Sequence, residues 1–129
     1  MKEIVLALAA FTCLFSQKVT EPQKGTLSAE EFRTAISTDT LATIVDVRHQ
    51  QEYGEGHIKG AILLDVKDEE VFNDSIRHLD KSKTYYIYCR SGRRSATAHE
   101  LMNKAGLKVK ELNGGIMNWA ENKFPISKE

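Results

Sequence analysis

Two rhythms of apolar and polar positions alternate along this chain. Four short runs, "LATIVDV" (41–47), "GAILLDV" (60–66), "TYYIYC" (84–89) and "KVKEL" (108–112), are continuous or alternate with a period of two. Most are rich in β-branched, aliphatic or aromatic residues, the pattern of half-buried or fully buried strands. Between them, apolar residues recur every three or four positions. In "LSAEEFRTAIS", Phe32, Ala35 and Ile36 share a helical face, and Ser28 with Glu31 has the spacing of a capping box. In "DEEVFNDSIRHL" (68–79), Val71, Phe72, Ile76 and Leu79 form a stripe behind an acidic first turn. "SATAHELMNKAG" (95–106) is built of good helix formers and closed by Gly106. "GGIMNWAENKFP" (114–125) predicts a turn and a last helix that stops before Pro125.

Strands alternating with amphipathic helices predict an α/β fold, with a mostly parallel sheet and helices on both faces. Ligands of such folds gather beyond the carboxyl ends of the strands, where loops enter helices. Cys89 falls there, as the last residue of a predicted strand ahead of a loop and a helix.

The first residues break the pattern. "MKEIVLALAAFTCLFSQ" carries Lys2 and then an apolar run of 12 residues from Ile4 to Phe15. That run is too short for a membrane-spanning helix and has the length of a signal-peptide core. Residues 1–16 are therefore expected to be a signal peptide, residues 17–24 a polar linker containing Pro22, and residues 25–129 the folded domain. An exported, periplasmic or cell-envelope protein follows. Ala10 and Thr12 precede Cys13 at the offsets of a second cleavage pattern, which would leave Cys13 as a lipid anchor.

Length and charge narrow the function. The 129 residues suffice for one domain, and the formal net charge is zero, which removes any general case for nucleic-acid or membrane-surface binding. There are two cysteines, Cys13 and Cys89. Loss or lipidation of Cys13 leaves Cys89 without an intramolecular partner, the arithmetic of a reactive thiol or an intermolecular disulfide. No H-x-x-x-H or C-x-x-C spacing occurs, and no metal is expected.

The segment "CRSGRRS" (89–95) concentrates the chemistry. A helix following the cysteine presents unpaired N–H groups and the positive end of its dipole. Gly92 lets the loop curl into an anion-binding nest. Arg90, Arg93 and Arg94 add charge that does not titrate. All three effects favour thiolate over thiol, and they would hold an anionic substrate against the sulfur. The plainer reading makes Cys89 a small buried core residue beside a solvated arginine surface.

Three ordered segments also carry a family resemblance. "YCRSGRRSATAHELMNKAG" resembles the active-site loop and following helix of a rhodanese, a sulfurtransferase. "IVDVRHQQEYGEGHIKGAI" resembles that family's first signature, and "ELNGGIMNWAENKFP" its C-terminal pattern of a double glycine and a tryptophan. The likeness spans about residues 25 to 126. Lys59 stands where the family commonly has proline, and Leu64 and Asp65 where it often has asparagine.

The resemblance implies a single-domain, bacterial thiosulfate sulfurtransferase with about five strands, which the amino-terminal segment would make an exported one. The Cys89 thiolate would attack the outer sulfur of a small anionic donor and hold a persulfide. Cyanide, a small thiol or a protein acceptor would then take the sulfur. The amides of Arg90, Ser91, Gly92, Arg93 and Arg94 would stabilise the charge, and no cofactor is needed. The basic loop suits a doubly charged donor better than the nearly neutral loop of relatives that favour mercaptopyruvate. Protein phosphatases of the C-x5-R pattern need a loop one residue longer than the six residues from Cys89 to Arg94.

Around this loop, Asp46, Arg48 and Ser95 are candidates for support. Asp46 and Arg48 either lend charge to the site or brace loops through an ion pair. His57 is expected to be structural, and Trp119 to belong to the apolar face of the last helix. Other roles open to the same loop are a persulfide carrier with slow turnover, a redox sensor, or a non-catalytic interaction domain.

Overall fold

The computed structural model describes residues 25–129. The expected signal segment, the linker and the lipid-anchor position Cys13 lie outside the described residues. Among those described, no helix is long and apolar enough to cross a membrane.

Five strands, β1 (Thr26–Leu27), β2 (Ala42–Asp46), β3 (Ile62–Leu63), β4 (Thr84–Tyr88) and β5 (Lys108–Leu112), form one sheet in the order β1-β5-β4-β2-β3. Every pairing is parallel. Helices α1 (Ala29–Thr38), α2 (Gln50–Glu55), α3 (Glu69–Arg77), α4 (Arg93–Lys104) and α5 (Gly115–Glu121) connect or follow the strands. The predicted α/β architecture is therefore present, with a fully parallel sheet.

Central β4 shows how the faces separate. Side chains alternate along a strand, so Tyr85, Ile87 and then Cys89 fall in the core shared with Phe72 and Ile76 of α3 and Ala98 and Met102 of α4. Tyr86 and Tyr88 fall in the opposite core with Phe32 of α1 and Ile116 and Trp119 of α5. Cys89 lies one residue beyond the end of β4 but keeps its parity, which aims its side chain at the α4 side.

Local signals explain most element ends. Ser28 and Glu31 form the expected capping box: the Glu31 N–H donates to Ser28 Oγ at 3.0 Å, and the Ser28 N–H to Glu31 Oε1 at 2.9 Å. Helix α4 begins at Arg93, two residues before the predicted start, because Gly92 at φ +116° serves as its N-cap. It ends at Lys104, ahead of Gly106 at φ +87°. The "GAILLDV" run forms only a two-residue edge strand, after which Asp65 turns the chain by accepting from the Lys67 N–H. Two elements were not predicted, β1 and α2. The first is two residues long, and the second buries no residue of its own and so has no apolar stripe.

Candidate active site

The site forms where β4 ends. Cys89 is 1% exposed and is a free cysteine. The left-handed turn at Gly92 folds the loop back on itself, and the Gly92 N–H donates to Cys89 Sγ at 3.0 Å. The amino-terminal turn of α4 follows directly. A backbone donor and a helix amino terminus thus meet at one sulfur, and both stabilise negative charge there.

The loop is clamped from the other side by α5. Its Ile116 N–H donates to the Cys89 carbonyl at 2.9 Å and its Met117 N–H to the Arg90 carbonyl at 3.1 Å. Gly114 and Gly115 have φ of +76° and +65°. A side chain at Gly115 would collide with the carbonyls of Arg90 and Cys89. The double glycine therefore lets the α5 amino terminus approach the loop backbone closely.

The three arginines are not equivalent. Arg90 and Arg93 are exposed. Arg94 instead makes a two-pronged bond to Glu52 of α2, with Nη1 to Oε1 at 2.8 Å and Nη2 to Oε2 at 2.9 Å. The hydrogen bond from Arg94 is the main cause that holds the Glu52 carboxyl down at about 2. A groove of about 520 Å³ beside the loop is lined by Arg93, Arg94, Lys67, Glu69, Asn73, Thr97, Val66 and Leu101, three basic side chains and one acidic one over an apolar floor.

Asp46 and Arg48 form a brace. Both are buried, and Arg48 Nε and Nη2 donate to the two Asp46 oxygens at 2.9 and 2.7 Å. Nη2 also donates to the Gly56 carbonyl at 2.7 Å. The Arg48 head is thus committed to an ion pair and a loop carbonyl, which is the loop-bracing alternative of the two read from the sequence. His57 is likewise tied to backbone: Nδ1 lies 2.8 Å from the Tyr53 carbonyl, and its main chain pairs with Ser127.

Ser95 is fully buried behind the sulfur, with Oγ 3.5 Å from Cys89 Sγ and 2.7 Å from Glu111 Oε2. The other Glu111 oxygen lies 3.0 Å from His99 Nδ1. The sequence reading assigned no part of the site to Glu52, His99 or Glu111, and no physical role to Gly115. Glu111 did carry a signal, since it shares the parity of Val109 in an alternating strand whose Val109 is buried. Glu52 and His99 reach the site only through folding. Among the described residues, no group of three or more His, Cys, Asp or Glu side chains is arranged to hold a metal ion.

A cysteine at the carboxyl end of the central strand, in a loop closed by a glycine cap and clamped by a second helix, gives this α/β domain the layout of a cysteine-centred site. Residues 28–122 match the family described as Rhodanese-like domain, and the chain belongs to that family. Among its relatives is the Bacillus subtilis protein named "Putative sulfurtransferase YtwF", 31% identical over 93 residues, which are 72% of this chain and 87% of that one. The Bacillus subtilis "Putative sulfur carrier protein YrkF" is 33% identical over 94 residues, covering 72% of this chain and 49% of that longer one. The crystal structure of a rhodanese-related protein from Thermoplasma volcanium superposes with a TM-score of 0.71 at 28% identity, over 81% of this chain and 98% of its own.

Proposed function

We propose that this protein is a sulfurtransferase in which Cys89 accepts the outer sulfur of thiosulfate and passes it to cyanide or a thiol. The observation that carries this reading is the Cys89 sulfur held at 3.0 Å by the Gly92 N–H, at the amino terminus of α4 and beneath a loop with Arg90 and Arg93 exposed. The thiolate attacks the outer sulfur, a sulfur–sulfur bond forms, and the S–S bond of the donor breaks to release sulfite with its electron pair. The terminal sulfur of the persulfide then bonds to cyanide or a thiolate, and Cys89 recovers the electron pair. Gly92 and its neighbouring amides hold the anionic sulfur, and Arg90 and Arg93 attract the dianion. The protein is proposed to act after export, a reading supported by the apolar run from Ile4 to Phe15.

Thiocyanate formation from thiosulfate and cyanide tests this directly. Turnover by the reduced chain and its loss in Cys89→Ser is the expected result. A second reading, a persulfide carrier serving a protein partner, is favoured by the sulfur-carrier relative. It predicts a gain of one sulfur on the Cys89 peptide by mass spectrometry with little thiocyanate. Neither thiocyanate nor the added sulfur would remove both readings.

A further inference from the structure

Behind Cys89 runs a continuous chain of polar groups that the proposed sulfur transfer does not use. It passes from Cys89 Sγ to Ser95 Oγ (3.5 Å), from Ser95 Oγ to Glu111 Oε2 (2.7 Å), and from Glu111 Oε1 to His99 Nδ1 (3.0 Å). The side chains of Glu111 and His99 are 12% and 15% exposed. The space for His99 is provided by Gly25, where a side chain would strike the imidazole.

A serine hydroxyl has one proton. Two acceptors compete for that of Ser95, the Glu111 carboxylate at 2.7 Å and the Gly92 carbonyl at 3.3 Å, while Cys89 Sγ lies on the donor side at 3.5 Å. The short bond to a carboxylate is the strongest of these. The Ser95 lone pairs are then left facing the sulfur, in position to accept from a Cys89 S–H.

We propose that Ser95 and Glu111 form the proton outlet of Cys89, with His99 as the residue that positions Glu111. This rests on Cys89 being the nucleophile. In one concerted step the S–H bond breaks as a proton bonds to Ser95 Oγ, and the former Ser95 O–H proton bonds to Glu111 Oε2. No charge is created. The negative charge moves from Glu111 to Sγ, where the Gly92 N–H and the start of α4 receive it. The reverse step returns the proton to the thiolate once the sulfur has been delivered.

Among the described residues, few charges compete around Glu111. Helix α4 supplies His99 and, across a cavity of about 470 Å³, Arg93. The turn after β4 supplies Cys89. Opposite, β1 and its entry supply Thr26 and Gly25, neither of which titrates.

The test follows the rate of iodoacetamide alkylation at Cys89, read on its own peptide by mass spectrometry from pH 5 to 10. The proteins are the full chain, Ser95→Ala, Glu111→Gln, the double variant and His99→Gln. This readout needs no sulfur donor, so it stands apart from the proposed transfer, which fails separately if the parent chain forms no persulfide. Glu111→Gln is expected to slow alkylation on the acid side roughly tenfold or more and to converge with the parent in alkali, where hydroxide takes the proton. Ser95→Ala is expected to do the same, and the double variant no worse than either. His99→Gln should fall between Glu111→Gln and the parent. An unchanged profile in Glu111→Gln overturns the proposal. So does faster acid-side alkylation, which would make Glu111 a charge that opposes the thiolate. A loss equal at every pH, with full additivity in the double variant, would also overturn it and leave a packing role only.

Discussion

At Gly115, backbone geometry and chemistry meet. Its left-handed conformation costs an L residue about 1–2 kcal/mol, and a Cβ there meets the carbonyls of Arg90 and Cys89. Gly115→Ala is expected to lower the unfolding free energy by at least that amount and to displace the loop. Persulfide formation should fall tenfold or more while the far-ultraviolet spectrum stays that of the parent. Glu52 gives a pH-dependent prediction. Its folded value of about 2 lies below the ordinary 4.5, chiefly through the hydrogen bond from Arg94. A carboxylate lowered in this way adds stability that is complete above about 4.5 and is lost as pH falls toward 2. The full difference corresponds to roughly 3 kcal/mol, and to about 1–2 kcal/mol after solvent screening at a pair that is partly exposed. Denaturant unfolding of the parent and Glu52→Gln should therefore differ by that amount at pH 7 and converge near pH 2.

Among the elements, α1 shows what local sequence can achieve alone. The reciprocal Ser28–Glu31 bonds satisfy two amino-terminal N–H groups on an exposed surface. Ser28→Ala is expected to cost about 1 kcal/mol in unfolding free energy and to leave thiocyanate formation unchanged. Helices α4 and α5 behave differently, because their amino termini both serve the loop between Cys89 and Gly92. The first presents its dipole to the sulfur, and the second donates to the carbonyls behind it. Neither has a side-chain cap, and each opens on a left-handed glycine, Gly92 or Gly114. A side-chain cap would occupy the N–H groups that these helix ends direct at the loop.

For the molecule as a whole, charge is balanced overall and uneven locally. The formal net charge is zero, yet the open end of the sheet presents Arg90, Arg93 and Lys67, with Arg94 bound to Glu52. Attraction of a dianion to such a face is screened within about 10 Å at 0.1 M salt. Raising the salt concentration is expected to raise KM for thiosulfate severalfold with little change in kcat. Arg90→Ala and Arg93→Ala should each raise KM and flatten the salt dependence. Arg94→Ala should also lower the unfolding free energy, since it breaks the Glu52 pair. Steady-state kinetics at several ionic strengths, beside unfolding curves, separate the three arginines.

Much of this protein is legible in its sequence. The alternation of short apolar runs with amphipathic stretches specifies the α/β class, because periods of two and of about 3.6 bury different faces. The apolar run that ends at Cys89 and the helix-forming stretch from Ser95 place Cys89 ahead of a helix, because both are local properties of the chain. The residues around that sulfur were decided by packing. Glu52 meets Arg94 across 42 positions, and Glu111 meets Ser95 across 16. The sheet order also puts β5, with Glu111, next to β4. No local period encodes such pairings, since they exist only once parallel strands lie side by side and bring distant loops to the same edge.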